Sequence, residues 1–185
     1  MAQILVCRAA IARLGGQFIL GIPAVPGPLQ DCHIAEAAKI LGSRYKQIHF
    51  QDWDHSKGVP RDVIVFFEHD RRWHVLHIGI HRQYWNQVDA VFEELGDPEH
   101  PVHEHRAAIL KAVNEIGWWK EENLWAGLEG DVGIEQFTLD VGASGYLVIM
   151  AAMFIAEVGE VDESYLGLSK AKREVKALFE SVLQS

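Results

Sequence analysis

Apolar and polar positions follow two periods along this chain, and the change between them falls near Ile80. Before it, short apolar runs at Gln3–Val6 and Gln17–Ile22 read as strands, with Gly15-Gly16 between them. The proline-rich stretch from Pro23 to Pro28 is irregular, because its prolines lack donors and restrict their neighbours. Asp31 is then an N-cap for a helix from about Cys32 to Leu41, with Ile34, Ala37, Ala38 and Leu41 on one face and Gly42 as its stop. Gln47–Phe50 reads as a further strand. The clearest local signal is a β-hairpin at about 62–80, in which Asp62–Phe67 and Trp73–Ile80 flank the polar turn His69-Asp70-Arg71-Arg72. With Asp70-Arg71 as the loop, Phe67 faces His74, Val65 faces Leu76 and Ile64 faces His77. Both faces are then largely apolar, which predicts a sheet covered on both sides.

Beyond Ile80 the spacing becomes helical. Tyr84–Leu95 predicts a helix ended by Gly96-Asp97-Pro98, and Val102–Ile116 predicts another with Val102, Ile109, Val113 and Ile116 on one face. Gly142–Val158 is apolar almost all round, so it is either a buried central helix or a pair of buried strands. Asp162–Leu183 is an amphipathic closing helix with Leu168, Ala171, Val175, Leu178 and Val182 at core spacing. The expected class is α+β: a small antiparallel sheet around the hairpin, packed by helices, with a helical C-terminal half. The 185 residues suit one domain, with a subdivision into a mixed part (1–96) and a helical part (97–185) as the alternative.

Composition narrows the function classes. The net charge of -9 disfavours nucleic acid, since phosphate binding wants a basic face. No run reaches the ~18 apolar residues of a membrane span, and two cysteines, Cys7 and Cys32, make no disulfide framework, so the expected setting is the cytoplasm. The charge is uneven: residues 1–92 hold 10 basic and 8 acidic side chains, whereas residues 93–185 hold 7 and 18, a balance of -11. Such asymmetry marks either a solvated helical surface or a face that meets a basic partner.

Cys32 carries the first chemical lead. A thiol in the first turn of a helix feels the positive end of the helix dipole, which favours the nucleophilic thiolate. A base is also needed, and the hairpin supplies His74 and His77 on a strand that holds their rings in place. The alternative is that Cys32 is a small buried apolar residue. Asp31-Cys32 opening a helix, then Pro60-Arg61-Asp62-Val63-Ile64-Val65-Phe66-Phe67, then His77-Ile78-Gly79-Ile80, resembles the NlpC-type papain-like cysteine peptidases. The similarity covers roughly residues 28–90. It implies that Cys32 attacks an amide carbonyl, that His77 takes the thiol proton, and that Asp89, twelve positions after His77, orients the imidazole, with Asn86 as a substitute. No cofactor is implied. The chain departs from the family at His33-Ile34 after the cysteine, at Arg61 in place of a glycine, and in the helical reading that follows the histidine strand.

Two other readings compete. His100 and Glu104 are one turn apart on a predicted helix and are candidate metal ligands, but no HExxH or CxxC spacing accompanies them. His77 and His81 share a strand face about 13 Å apart, too far for one ion. The segment Asp52–Gly58 fails as a calcium loop, and phosphate-binding glycine loops are absent. The remaining reading is a non-catalytic interaction or immunity/inhibitor-type protein whose acidic half binds a basic partner. Trp118, Trp119 and Trp125, beside Lys120, Glu121 and Glu122, either anchor such an interface or pin a loop onto the core.

Overall fold

A computed structural model describes residues 29–51, 55–89, 101–118, 131–133, 141–159, 161 and 167–183. The strands expected at 3–6 and 17–22, the proline-rich segment, Cys7, His100, Trp119 and Trp125 lie outside the described residues. In chain order the elements are α1 (Asp31–Arg44), β1 (Ile48–Phe50), β2 (Asp62–His69), β3 (Arg72–Gly79), β4 (Tyr84–Asp89), α2 (Val102–Glu115), β5 (Asp131–Gly133), α3 (Ser144–Val158) and α4 (Leu168–Leu183). The class is α+β, as the sequence predicts.

The sheet is mixed, in the order β1-β2-β3-β4-β5. Its three central strands are antiparallel neighbours, while β1 joins β2, and β5 joins β4, in parallel. The expected hairpin register holds: Phe67 pairs with His74, Val65 with Leu76 and Ile64 with His77. Asp70 and Arg71 turn the chain with φ of 47° and 61°, the left-handed pair that a two-residue loop needs to match the strand twist.

Several expectations are corrected, the first at β4. Tyr84–Asp89 is a strand rather than the start of a helix, and residues 90–95 lie outside the described part. Gln83 at φ 55° reverses the chain after β3, its side-chain amide donating to the Ile80 carbonyl. The next residues then zip along β3, pairing Tyr84 with Gly79 and Asn86 with His77. Aromatic and β-branched residues at Tyr84, Trp85 and Val88 suit that pleated surface.

Alternation along β2 and β3 divides the core in two. Ile64, Phe66, Val75 and Val88 face a large cluster formed by α1, α3 and α4; Val63, Val65, Leu76, Ile78 and Trp85 face Leu110 and Val113 of α2, with Trp118 just beyond it. The apolar segment 142–158 resolves into helix α3, buried on nearly every side and ended by Gly159 at φ 95°, whose N–H bonds the Ile155 carbonyl. At α1 the cap shifts by one residue. Gln30 is the N-cap, locked to His33 in a capping box, and Asp31 is the first helical residue, its charge favourable at that end. Gly42 does not stop this helix, which continues to Arg44.

Candidate functional site

His77 sits in the middle of the sheet, on the face covered by α3, and is 2% exposed. Its register partners are Ile64 and Asn86. Asp62 opens β2 two positions before Ile64 and therefore points to the same face. Its Oδ1 lies 3.1 Å from His77 Nε2, and its Oδ2 accepts a bond from Arg61 Nε. Burial pushes the Asp62 carboxyl up, but the bonds and charges of His77 and Arg61 together outweigh that and hold it below the ordinary value of 3.8. A carboxylate kept ionised can only accept, so His77 Nε2 carries the proton between them.

Tyr84 completes the cluster. Its hydroxyl is 3.4 Å from His77 Nδ1 and 3.3 Å from Nε2, with the two rings edge to face at 88°. That position depends on Gly79, the register partner of Tyr84: any Cβ there would collide with the Tyr84 ring. Bare backbone lets the ring lie across the strand and reach the imidazole. Asn86, beside His77, has a buried Oδ1 with no hydrogen-bond partner among the described residues.

Cys32 occupies the second position of α1, half-buried, with its Sγ 3.9 Å from His33 Nδ1. The same Nδ1 accepts the Gln30 N–H at 3.1 Å, so it is unprotonated, in keeping with burial holding the His33 imidazole below its ordinary value. Three contacts fix where this thiol sits. Trp73 Nε1 donates to the Leu29 carbonyl at 3.2 Å, Leu29 packs on Gly145, and the Trp73 N–H bonds Ser144 Oγ at 3.0 Å. Helix α1 therefore starts where β3 and α3 start. Past its other end, Tyr45 donates to Glu157 near the end of α3, so α1 and α3 run side by side in one direction. Cys32 is about one turn, roughly 5 Å, beyond Leu29. His77 is about 13 Å along β3 beyond Trp73, and its ring nitrogens face Asp62 and Tyr84 at the far end. The structure thus gathers His77, Asp62, Arg61 and Tyr84, and sets Cys32 toward the other end of the layer.

The other sequence candidates are dispersed. Asp89 ends β4 opposite His74, three register positions from the Asn86 that pairs with His77, and its side chain is outside the described part. Glu104 is exposed in the first turn of α2. Among the described residues no group of three or more His, Cys, Asp or Glu side chains is arranged to hold a metal ion. The hairpin histidines are not all on the surface: His74 is buried and stacks on Phe67 at 5.1 Å, near His69.

Sequence reasoning missed Asp62, Arg61, Tyr84 and the buried Ser144. For Asp62 a signal existed, since an acid two residues before Ile64 shares its parity and must face the same layer. Tyr84 was hidden by the helical reading of its segment.

No protein-family model and no curated protein matches the chain. Solved structures do. The SUMO protease Ulp1 with its catalytic cysteine oxidised to a sulfenic acid superposes with a TM-score of 0.63 at 12% identity, over 88% of this chain and 81% of that one. The C-terminal Ulp1 protease domain in complex with Smt3, the yeast ortholog of SUMO, gives a TM-score of 0.64 at 13% identity, over 87% and 79%. The shared feature is the fold, that of a cysteine protease. The likeness read from the sequence is carried to that level and not to the NlpC type in particular.

Proposed function

We propose that this chain recognises a partner protein on a cysteine-protease-like scaffold, and that Asp62, His77 and Tyr84 are a structural pin inside it. The observation that carries this reading is the place where His77 is engaged: its protonated Nε2 faces a buried carboxylate and its Nδ1 lies 3.4 Å from the Tyr84 hydroxyl, toward the end of the layer away from the start of α1. A general base for a thiol needs a vacant ring nitrogen within reach of that thiol. The solved complex of the Ulp1 domain with Smt3 supports a protein as the class of partner. The experiment is capture of a partner on the immobilised chain, wild type against Cys32→Ala. Recognition predicts equal capture and an intact partner with both. A partner cleaved by the wild type alone, and trapped intact by Cys32→Ala, would overturn it.

The second reading is a cysteine hydrolase in which Cys32 attacks an amide, His77 is the base and Asp89 orients it. It is favoured by the place of Cys32 in the first turn of α1, with a neutral imidazole, that of His33, 3.9 Å from the thiol. On this reading the thiolate forms by proton transfer to an imidazole, the sulfur bonds to the carbonyl carbon, and the amine leaves with that proton.

A further inference from the structure

Where β2 begins and β3 ends, three adjoining concavities of about 160, 490 and 210 Å³ share Arg61 in their walls. His81 lines the first two, Lys46 lines the last two, and Arg82 closes the first. Arg61, His81, Lys46 and Arg82 are exposed, as is Lys57, which also lines the second. Both acids in these walls are engaged: Asp62 with His77 and Arg61, and Glu157 with the Tyr45 hydroxyl at 2.8 Å. The Asp62 bond uses Arg61 Nε, which orients the guanidinium and leaves its two terminal nitrogens as the remaining donors. On a chain of net charge -9, this groove is a local concentration of positive charge.

A second observation is independent of charge. Among the described residues the exposed large hydrophobics are Val59, at 58%, and Val158, at 68%. Val59 stands in the wall of the 490 Å³ concavity and Val158 in that of the 160 Å³ one, so the two aliphatic side chains flank the basic centre. A third bears on the largest concavity. His49, 6% exposed, lines it, and its Nδ1 has no hydrogen-bond partner among the described residues.

We propose that this groove receives an extended acidic peptide segment of the partner protein, its carboxylates against Arg61, Lys46 and Arg82 and its aliphatic side chains on Val59 and Val158. A guanidinium offers planar, paired donors that match a carboxylate, and cations beside exposed valines suit a chain that alternates charge and aliphatic surface. A small inorganic anion would use the cations and leave the valines without a role. The inference rests on the recognition reading and names the face and the chemistry it uses.

The test is fluorescence anisotropy with a labelled decapeptide of alternating Glu and Val, against one of alternating Lys and Val, at low and high salt. The expected result is binding of the Glu peptide alone, weakened by salt, with a loss of about tenfold or more in the double reversal Lys46→Glu, Arg82→Glu. Both reversed positions are exposed, and circular dichroism checks the fold. Val158→Ser is expected to weaken binding several-fold at both salt concentrations. Absence of binding, binding unchanged by the reversal, or complete displacement by inorganic phosphate with no effect of Val158→Ser would each overturn the inference. Failure of the underlying reading is seen separately, as cleavage of a partner by the wild type that Cys32→Ala abolishes.

Discussion

Replacing Asp62 by Ala removes the carboxylate that both His77 and Arg61 bond, and leaves a buried imidazole N–H facing a void. Hydrogen bonds to charged groups contribute about 1.5–3 kcal/mol when buried, and His77 is 2% exposed. The Arg61 half of the pair is 48% exposed, so it adds only about 0–1 kcal/mol after solvent screening. The expected loss is therefore roughly 1.5–4 kcal/mol, a large share of the about 5–15 kcal/mol that holds a domain together. Asp62→Asn should lose less, because its amide oxygen still accepts from His77. The pH dependence has a definite sign. The folded Asp62 carboxyl lies below 3.8, so its stabilising contribution is complete above that value and is lost as the pH falls through the folded value. Urea unfolding followed by circular dichroism, at neutral pH and in steps below pH 4, measures both. The gap between wild type and Asp62→Ala should be constant near neutrality and narrow in acid. A double-mutant cycle with His77→Gln isolates the pair and should give a coupling of about 1–3 kcal/mol. A loss under about 0.5 kcal/mol, or a coupling near zero, would refute the pin.

Three further outcomes are expected. Gly145→Ala should destabilise despite the higher helix propensity of alanine, since its Cβ would lie 2.8 Å from Leu29 Cβ, whereas Gly42→Ala, with Phe50 Cδ2 at 3.8 Å, should gain up to about 1 kcal/mol; chemical unfolding of the two variants checks the contrast. Arg71→Gly, at φ 61° in the hairpin turn, should raise stability by about 1 kcal/mol, seen as a higher urea midpoint at unchanged slope. His33 is held below 6.5 by burial, so its neutral form favours the folded state: stability should fall as the pH drops below 6.5 and through the folded value, and His33→Gln should flatten that part of the profile.

The legible parts of this molecule are those set by neighbours in sequence. The hairpin register followed from two β-branched runs and a short polar turn, and α1 and α2 from one-sided apolar spacing. β4 was not legible, because Tyr84–Asp89 becomes a strand by pairing with β3 and its own periodicity does not exclude a helix. The same limit applies to the site. His77 could be singled out as a strand-borne histidine, but its partner Asp62 is fifteen residues earlier and meets it through the β2–β3 register. The separation of Cys32 from His77 comes from α1 lying alongside α3 with their starts together, an arrangement made by Leu29, Trp73 and Gly145. That packing has no local signature.

On the proposed reading Cys32 and His77 do not act as a pair, a separation of roles that can be measured. Its most direct measurement is the rate of iodoacetamide alkylation of Cys32 against pH, read by peptide-resolved mass spectrometry to separate it from Cys7, in the wild type and in His77→Gln. The expected alkylation profile, wherever it lies relative to the ~8.5 of an unperturbed thiol, is left unchanged by the substitution. A thiolate formed well below that value, and lost when His77 is replaced, would contradict that reading and establish an activated Cys32–His77 pair.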